Sequence, residues 1–438
     1  MKGISQMSPF QLVVMGTFGA LLVIGIILFS TFRSSESGPQ PISLQVWGFM
    51  DSEIFGDWVS ASGLEEQTNI TLRYQKKNIN TFENELIRAL AVGSGPDIFF
   101  VSDNQLSTYR EFVVNIPFER FSESNFRSTF VEHADIYLTE TGISAIPVII
   151  DPLVMFWNRD IHSDIGLVGP IQFWEDLDDF SVRATNRENS TISRSAISFG
   201  EYRNIRHAKD IISTLIMQTG GDIFYKEGGV VRSGLDQNFG FTRPPAVSAV
   251  SFFVDFADPS RRIYSWNRNL PDSLEYFSQG RSALYLGRAG DIKEIQLRNP
   301  NLNFDVAPLP YLREGRSEPR IRNVVTGQME GLAISRSTKD IQRSLSAIMF
   351  LTGSKSLGVL EAEFATPPVR RDMLSNRTRQ EFYIDVFYDS AIRSRSWFDP
   401  DPNQTDQIIR EMIESITGGR EGVNSAIKRA HQSLMDIL

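Results

Sequence analysis

Four histidines, His133, His162, His207 and His431, are the only imidazoles in the chain, and none is spaced from another as a metal site requires. They read as solvated or capping histidines. No cysteine occurs, so thiolate metal sites, cysteine nucleophiles, disulfides and a lipid-modified cysteine are excluded. The carboxylates Glu65-Glu66 and Asp176, Asp178 and Asp179 have the residue type for glycoside hydrolysis. That chemistry needs two carboxyls about 5–10 Å apart across a sugar, and neighbours on one helix do not provide it. Gly93-Ser94-Gly95-Pro96 starts like a dinucleotide loop, but it precedes a strand and contains proline, so it reads as a turn. Neither GxxxxGK[ST] nor GxSxG occurs. The expectation is a protein that is not an enzyme and uses no metal or cofactor.

What remains is a set of aromatic and polar residues near strand ends: Trp47, Phe49, Asp103, Asn104, Asp151 and Trp157. Aromatic faces pack on sugar rings and carboxylates accept from hydroxyls, so this set suits binding. Trp47 could equally be a core residue, and Asp103 and Asn104 could cap the next helix. The stretch AIPVIIDPLVMFWNRD (145–160) is apolar enough for a buried strand, yet Asp151 and Pro152 interrupt it. A lone carboxylate is costly to bury and proline lacks a ladder donor, so one continuous core strand is not expected there.

The elements that must position these residues follow an α/β pattern. A strand ends near Trp47, a helix covers 51–67, a strand 69–77, a helix 81–93 and a strand 97–102. Such alternation implies a mainly parallel sheet flanked by helices, with ligands at the carboxyl ends of the strands. The middle of the chain is richer in helix, NFDVAPLP (303–310) returns to strand, and the rest is helical.

The chain has 438 residues, 41% hydrophobic and 22% charged, which suits two globular domains. A formal net charge of −9 without a Lys/Arg block excludes a nucleic-acid surface. The uncharged run Leu12–Phe32 is 21 residues long. As a helix it would span about 30 Å, a bilayer core, and no small-x-small cleavage site follows it. Residues 1–33 are therefore expected to be a retained membrane anchor, 34–41 a linker, and the body to lie on the extracytoplasmic side.

Seven segments in order carry a resemblance: LQVWG, GSGPDIFFVSDNQL, IPVIIDPLVMFWNRD, LIMQTGGDIF, YFSQGRSALYLG, NPNLNFDVAPLP and FATPPVRRDM. With these the chain from residue 42 onward resembles the extracellular solute-binding proteins of bacterial ABC importers, in particular the sugar-binding group. The resemblance implies a two-lobed α/β fold of the periplasmic-binding-protein type II, each lobe a mainly parallel sheet flanked by helices. Lobe one would be 42–150 completed by 307–351, and lobe two 152–306 completed by 352–438, with the crossings near Asp151, 307–310 and Leu351. It implies a cleft that binds a sugar or oligosaccharide and an ABC permease as partner, with the binder a monomer. Trp47, Phe49, Asp103 and Asn104 would line the cleft from the loops after the first and third strands, and Asp151 would face it from the hinge, unless it only satisfies a turn before Pro152. Where the family commonly places a stacking aromatic, this chain has Gly287-Arg288-Ala289-Gly290-Asp291. Arg288 would then meet an anionic group or lie in solvent, and Trp266 and Trp397 become alternative stacking residues. A glycan-acting surface enzyme and a ligand sensor for a membrane receptor are the alternative functions.

Overall fold

The computed structural model describes residues 42–313, 322–376 and 381–438. The expected anchor (1–33) and linker (34–41) lie outside them. Among the described residues, no helix is long and apolar enough to cross a membrane.

The first strand, β1 (Ile42–Gly48), buries Leu44 and Val46, and β2 (Ile70–Lys76) and β3 (Ile98–Ser102) lie parallel on its two sides. Between β2 and β3 the helix Ile79–Ala91 turns Phe82, Leu86 and Leu90 into the core at four-residue spacing. Asn78 starts that helix by accepting the Asn80 N–H at 2.9 Å. The helix expected over 51–67 is split into Ser52–Ser62 and Leu64–Gln67 by Gly63, whose φ of 66° is left-handed geometry that glycine adopts freely.

A short hairpin, β4 (Leu138–Thr139) and β5 (Gly142–Ile143), leads into β6 (Ile146–Asn158). Here the structure corrects the sequence reading, because β6 is one continuous strand through Asp151 and Pro152. The proline is tolerated because the strand changes partners at that point. Its first half pairs with β13 (Gly327–Ile334) and its second with β11 (Ser282–Arg288) and β12 (Phe304–Ala307), all antiparallel. The Pro152 carbonyl still accepts the Ala289 N–H at 3.0 Å. β7 (Asn186–Glu188) and β8 (Thr191–Ile197) extend the second lobe, and β9 (Phe224–Glu227) with β10 (Val230–Ser233) forms a separate hairpin. Among the described residues one nine-stranded sheet results, in the order β2-β1-β3-β13-β6-β11-β8-β7, with β12 also on β6. β13 meets the crossing tightly: a Cβ on Gly327 would sit 2.5 Å from the Asp151 carbonyl oxygen, so only glycine allows this approach.

Two large cores lie on this sheet. Lobe one holds Trp58, Phe99, Phe100, Tyr137 and Leu332, and lobe two holds Trp157, Trp174, Phe199, Trp266 and Leu284. The chain crosses between them in β6 and again between β12 and β13. The third crossing is not near Leu351. Helix Ser354–Phe364 folds back on lobe one through Leu357 and Leu360, followed by Val369, Tyr388 and Ala391, and Trp58 Nε1 donates to the Leu351 carbonyl at 3.0 Å. Helix Ile384–Arg393 touches both lobes, with Tyr388 and Ala391 in the first core and Phe387 among Val154, Phe156 and Tyr285 of the second lobe, and Ile409, Met412, Ile427 and Leu434 then lie wholly in lobe two. The third crossing is the segment 394–400, closed by Asp401, which caps helix Pro402–Thr417 by accepting from Asn403 and Gln404 N–H at 3.1 and 3.0 Å.

Candidate ligand-binding site

The crossing brings polar strand ends of both lobes into one network. Register places Glu330 of β13 opposite Ser102 at the end of β3, and Gln328 opposite Asp151. Ser102 Oγ and Gln328 Nε2 donate to Glu330 Oε1 at 2.5 and 2.7 Å, while Glu330 Oε2 is buried with no hydrogen-bond partner among the described residues. From lobe two, Arg288 at the end of β11 donates through Nε and Nη2 to Asp210 Oδ2 at 3.1 and 2.7 Å, and through Nη1 to Gln328 Oε1. Asp151 accepts the Gly290 N–H at 2.8 Å, which ties the hinge to the loop after β11.

Electrostatics follow from this geometry. Burial alone would lower the Arg288 pKa, but the Asp210 and Asp151 charges more than offset it and hold the guanidinium above its ordinary value. Burial pushes Asp151 up to about 6 against the pull of Arg288 and the Gly290 N–H. Burial likewise pushes Glu330 up to about 7, against the hydrogen bonds from Ser102 and Gln328. Arg288 is thus neutralised within the protein and acts as a strut between lobe two and β13.

Asp103, just past β3, is buried and holds a second cluster. His133 Nε2 lies 2.6 Å from Asp103 Oδ2, His133 Nδ1 lies 2.6 Å from Ser394 Oγ, and Ser396 Oγ donates to Asp103 Oδ2 at 2.8 Å. These are the residue types of a nucleophilic triad, but His133 and Ser394 are both 0% exposed, so no substrate carbonyl reaches the hydroxyl. The cluster clamps the third crossing segment onto lobe one. The histidines were expected to be solvated or capping; His133 and His162 are fully buried, and His162 Nδ1 lies 2.8 Å from the Asn158 carbonyl. The acidic residues Glu65, Glu66, Asp178 and Asp179 are exposed, as the helix-face reading requires.

Between the lobes lies a cavity of about 310 Å³. Lobe one contributes Leu106, Ser107, Arg110, Ser144 and the β4–β5 turn, and lobe two contributes Lys226; Phe398 and Asp399 enter from the third crossing. Ser107 Oγ donates to the Asp399 carbonyl at 2.6 Å and so joins the two sides. Phe398 is 40% exposed and edges against Phe224 at 6.3 Å, which leaves an aromatic surface free. It also borders a second cavity of about 350 Å³, lined in part by Asp222, Arg395 and Trp397. A larger hollow of about 440 Å³ at Pro308 and Tyr311 lies away from these groups, and two of its lining residues, Tyr311 and Asn323, flank the undescribed residues 314–321.

Of the residues picked out in the sequence, the structure brings Asp103, Asp151 and Arg288 to the crossing and places Asn104 beside them, where its N–H donates to Asp103 Oδ1 at 2.9 Å. Trp397 lies on the third crossing with Phe224 at 6.0 Å and Lys209 over its ring. Trp47 is buried in lobe one under Lys77 Nζ, 3.7 Å from its ring centre. Phe49 packs on Phe82 and Phe100. Trp266 is 0% exposed in lobe two, where its Nε1 donates to Asn204 at 3.2 Å; a ring so enclosed offers no face for stacking, and the expectation for it is corrected. Sequence reasoning missed Glu330, Gln328, Asp210, His133 and Phe398. Phe398 alone had a local signal, an apolar residue in the polar run SRSWFDPDP.

A family model described as bacterial extracellular solute-binding protein matches residues 61–361. The chain belongs to this family. Its members are solute-binding proteins and not enzymes, in agreement with the expectation drawn from the sequence, and the family places the body outside the cytoplasm. No curated protein matches the chain in sequence. Among solved structures, a cyclo/maltodextrin-binding protein in complex with maltotetraose is 16% identical with a TM-score of 0.73, covering 92% of this chain and 98% of its own. The sugar-binding protein MalE from the phytopathogen Xanthomonas citri is 17% identical with a TM-score of 0.73, covering 90% and 97%. The GacH receptor of Streptomyces glaucescens is 15% identical with a TM-score of 0.66, covering 90% and 98%. At these identities the likeness is one of fold, and the mixed α/β two-lobed architecture is that of this solute-binding family.

Proposed function

We propose that this solute-binding protein is the substrate-binding component of an ABC import system, taking a sugar or oligosaccharide between its lobes and delivering it to a membrane permease. The observation that carries the reading is the interlobe cavity, where the exposed face of Phe398 stands beside the hydroxyl and amide groups of Ser107, Asn115, Thr139 and Thr141. An aromatic face with surrounding hydroxyl partners is what a sugar ring requires. Similarly folded proteins carry maltotetraose, mannotriose and acarbose. A ligand that touches both lobes favours the closed arrangement, and the permease reads that arrangement without any chemistry. The run Leu12–Phe32 serves as a single-pass anchor that keeps the binder near its permease and raises its effective concentration there.

The test is a thermal-shift screen of the full chain in detergent against mono- and oligosaccharides, amino acids and polyamines. A saccharide at 100 times its Kd adds about 2.7 kcal/mol to the folded state. Phe398→Ala is expected to weaken that saccharide about tenfold by calorimetry, through loss of the stacking face. A saccharide hit that is consumed, or binding that is insensitive to Phe398→Ala, would count against the reading.

A further inference from the structure

The cavity between the lobes contains charged groups of two kinds. Asp103 and Asp399 are answered from within the protein, Asp103 by His133 and Ser396, and Asp399 by Lys209 Nζ at 2.6 Å and by Thr405. Arg110, Glu140 and Lys226 are exposed, line the same cavity and pair with no other described residue. Two of these three are cations, and they come from opposite lobes: Arg110 from the turn after β3, Lys226 from β9. Glu140 can answer one of these cations, and the other is left without a counter-charge unless a bound anion supplies it as the lobes close.

Resting on the saccharide reading above, we propose that the ligand is an anionic saccharide, carrying a carboxylate or a sulfate ester that Arg110 and Lys226 bracket as the lobes close. A guanidinium holds either anion through two parallel hydrogen bonds, and the ammonium adds a point charge from the other side. Glu140, in the β4–β5 turn, accepts from sugar hydroxyls. Arg288 takes no part, since Asp210 and Gln328 already occupy it.

The proposal is tested on the full chain by calorimetry with matched di- and trisaccharides of glucose, galactose and mannose. Each is used in neutral, uronate and sulfated form. An anionic form is expected to bind about tenfold tighter than its neutral counterpart, with a preference that shrinks in high salt. Arg110→Met and Lys226→Met are each expected to lower the ratio of anionic to neutral affinity several-fold. Lys428→Met, at an exposed lysine on helix Val423–Asp436, should leave the ratio unchanged. Preference for uronate or for sulfate identifies the anion, and either supports the proposal. Neutral forms that bind as tightly as both anionic forms overturn it and leave the saccharide reading standing. Absence of binding by every form overturns both.

Discussion

Replacing Arg288 by methionine is expected to destabilise the folded protein by on the order of 3 kcal/mol, seen as a lower denaturant midpoint at unchanged slope. Methionine keeps much of the apolar stem, so the loss isolates the guanidinium. Without it, Asp210 loses its ion pair, Gln328 loses a donor, and the Asp151 carboxylate loses the positive charge that favours its ionised form. Arg288 and Asp210 are both largely buried, with side chains 19% and 17% exposed, so water replaces little of what is removed. Asp210→Asn in the same chain should recover part of the loss, giving a coupling of about 1 kcal/mol or more in a double-mutant cycle. If Arg288 were instead a free ligand-binding arginine, the methionine variant would keep its stability to within about 0.5 kcal/mol and lose only affinity.

The second large effect is expected at Glu330. Its folded pKa of about 7 lies above the ordinary 4.5, so between these values the folded state holds a proton that the unfolded chain has released. Stability therefore falls as pH rises through that window. Asp151, pushed up to about 6 from 3.8, acts with the same sign over a lower window. Asp103 acts oppositely. Burial raises its pKa, but the hydrogen bonds and charge of His133 and the Ser396 hydroxyl bring it below 3.8, so its contribution is present above that value and lost on further acidification. Glu330→Gln removes the buried charge and is expected to stabilise the protein at pH 8 by on the order of 2–3 kcal/mol. It should also flatten the stability profile between pH 5 and 7. An unchanged slope in that range would show that Glu330 is not the titrating group.

Local sequence carried the alternation of strands and helices, because Phe82, Leu86 and Leu90 announce their helix and the apolar run of β3 its burial. Asp151 and Pro152 are conspicuous in an apolar strand, and the change of strand partners in β6 falls beside them. Local sequence did not reveal that the strand continues, because continuity depends on β13, whose Gly327 lies far along the chain. The third crossing was misplaced for a related reason. Thr352-Gly353 does end a helix, but whether the next helix changes lobes depends on where Leu357 and Leu360 find apolar partners. Asp103 was recognisable as a polar residue after a strand, yet its partners His133 and Ser396 come from distant segments. Trp266 shows the converse, since a tryptophan between polar neighbours in SWNRN reads as a platform until the second core closes around it.

The interleaving of the lobes governs how the chain acquires its structure. Lobe one needs residues 42–150 and also β13 and the helices up to Ala391, so Trp58 must wait for Leu351 before its indole N–H is paired. Lobe two closes only when Met412 and Leu434 arrive. Contacts between such distant segments give a high contact order, and loop closure must precede the burial that rewards it. Neither half can be completed from a nascent N-terminal fragment, so a chain bound for the far side of a membrane stays incompletely folded, and threadable, until nearly all of it has been made.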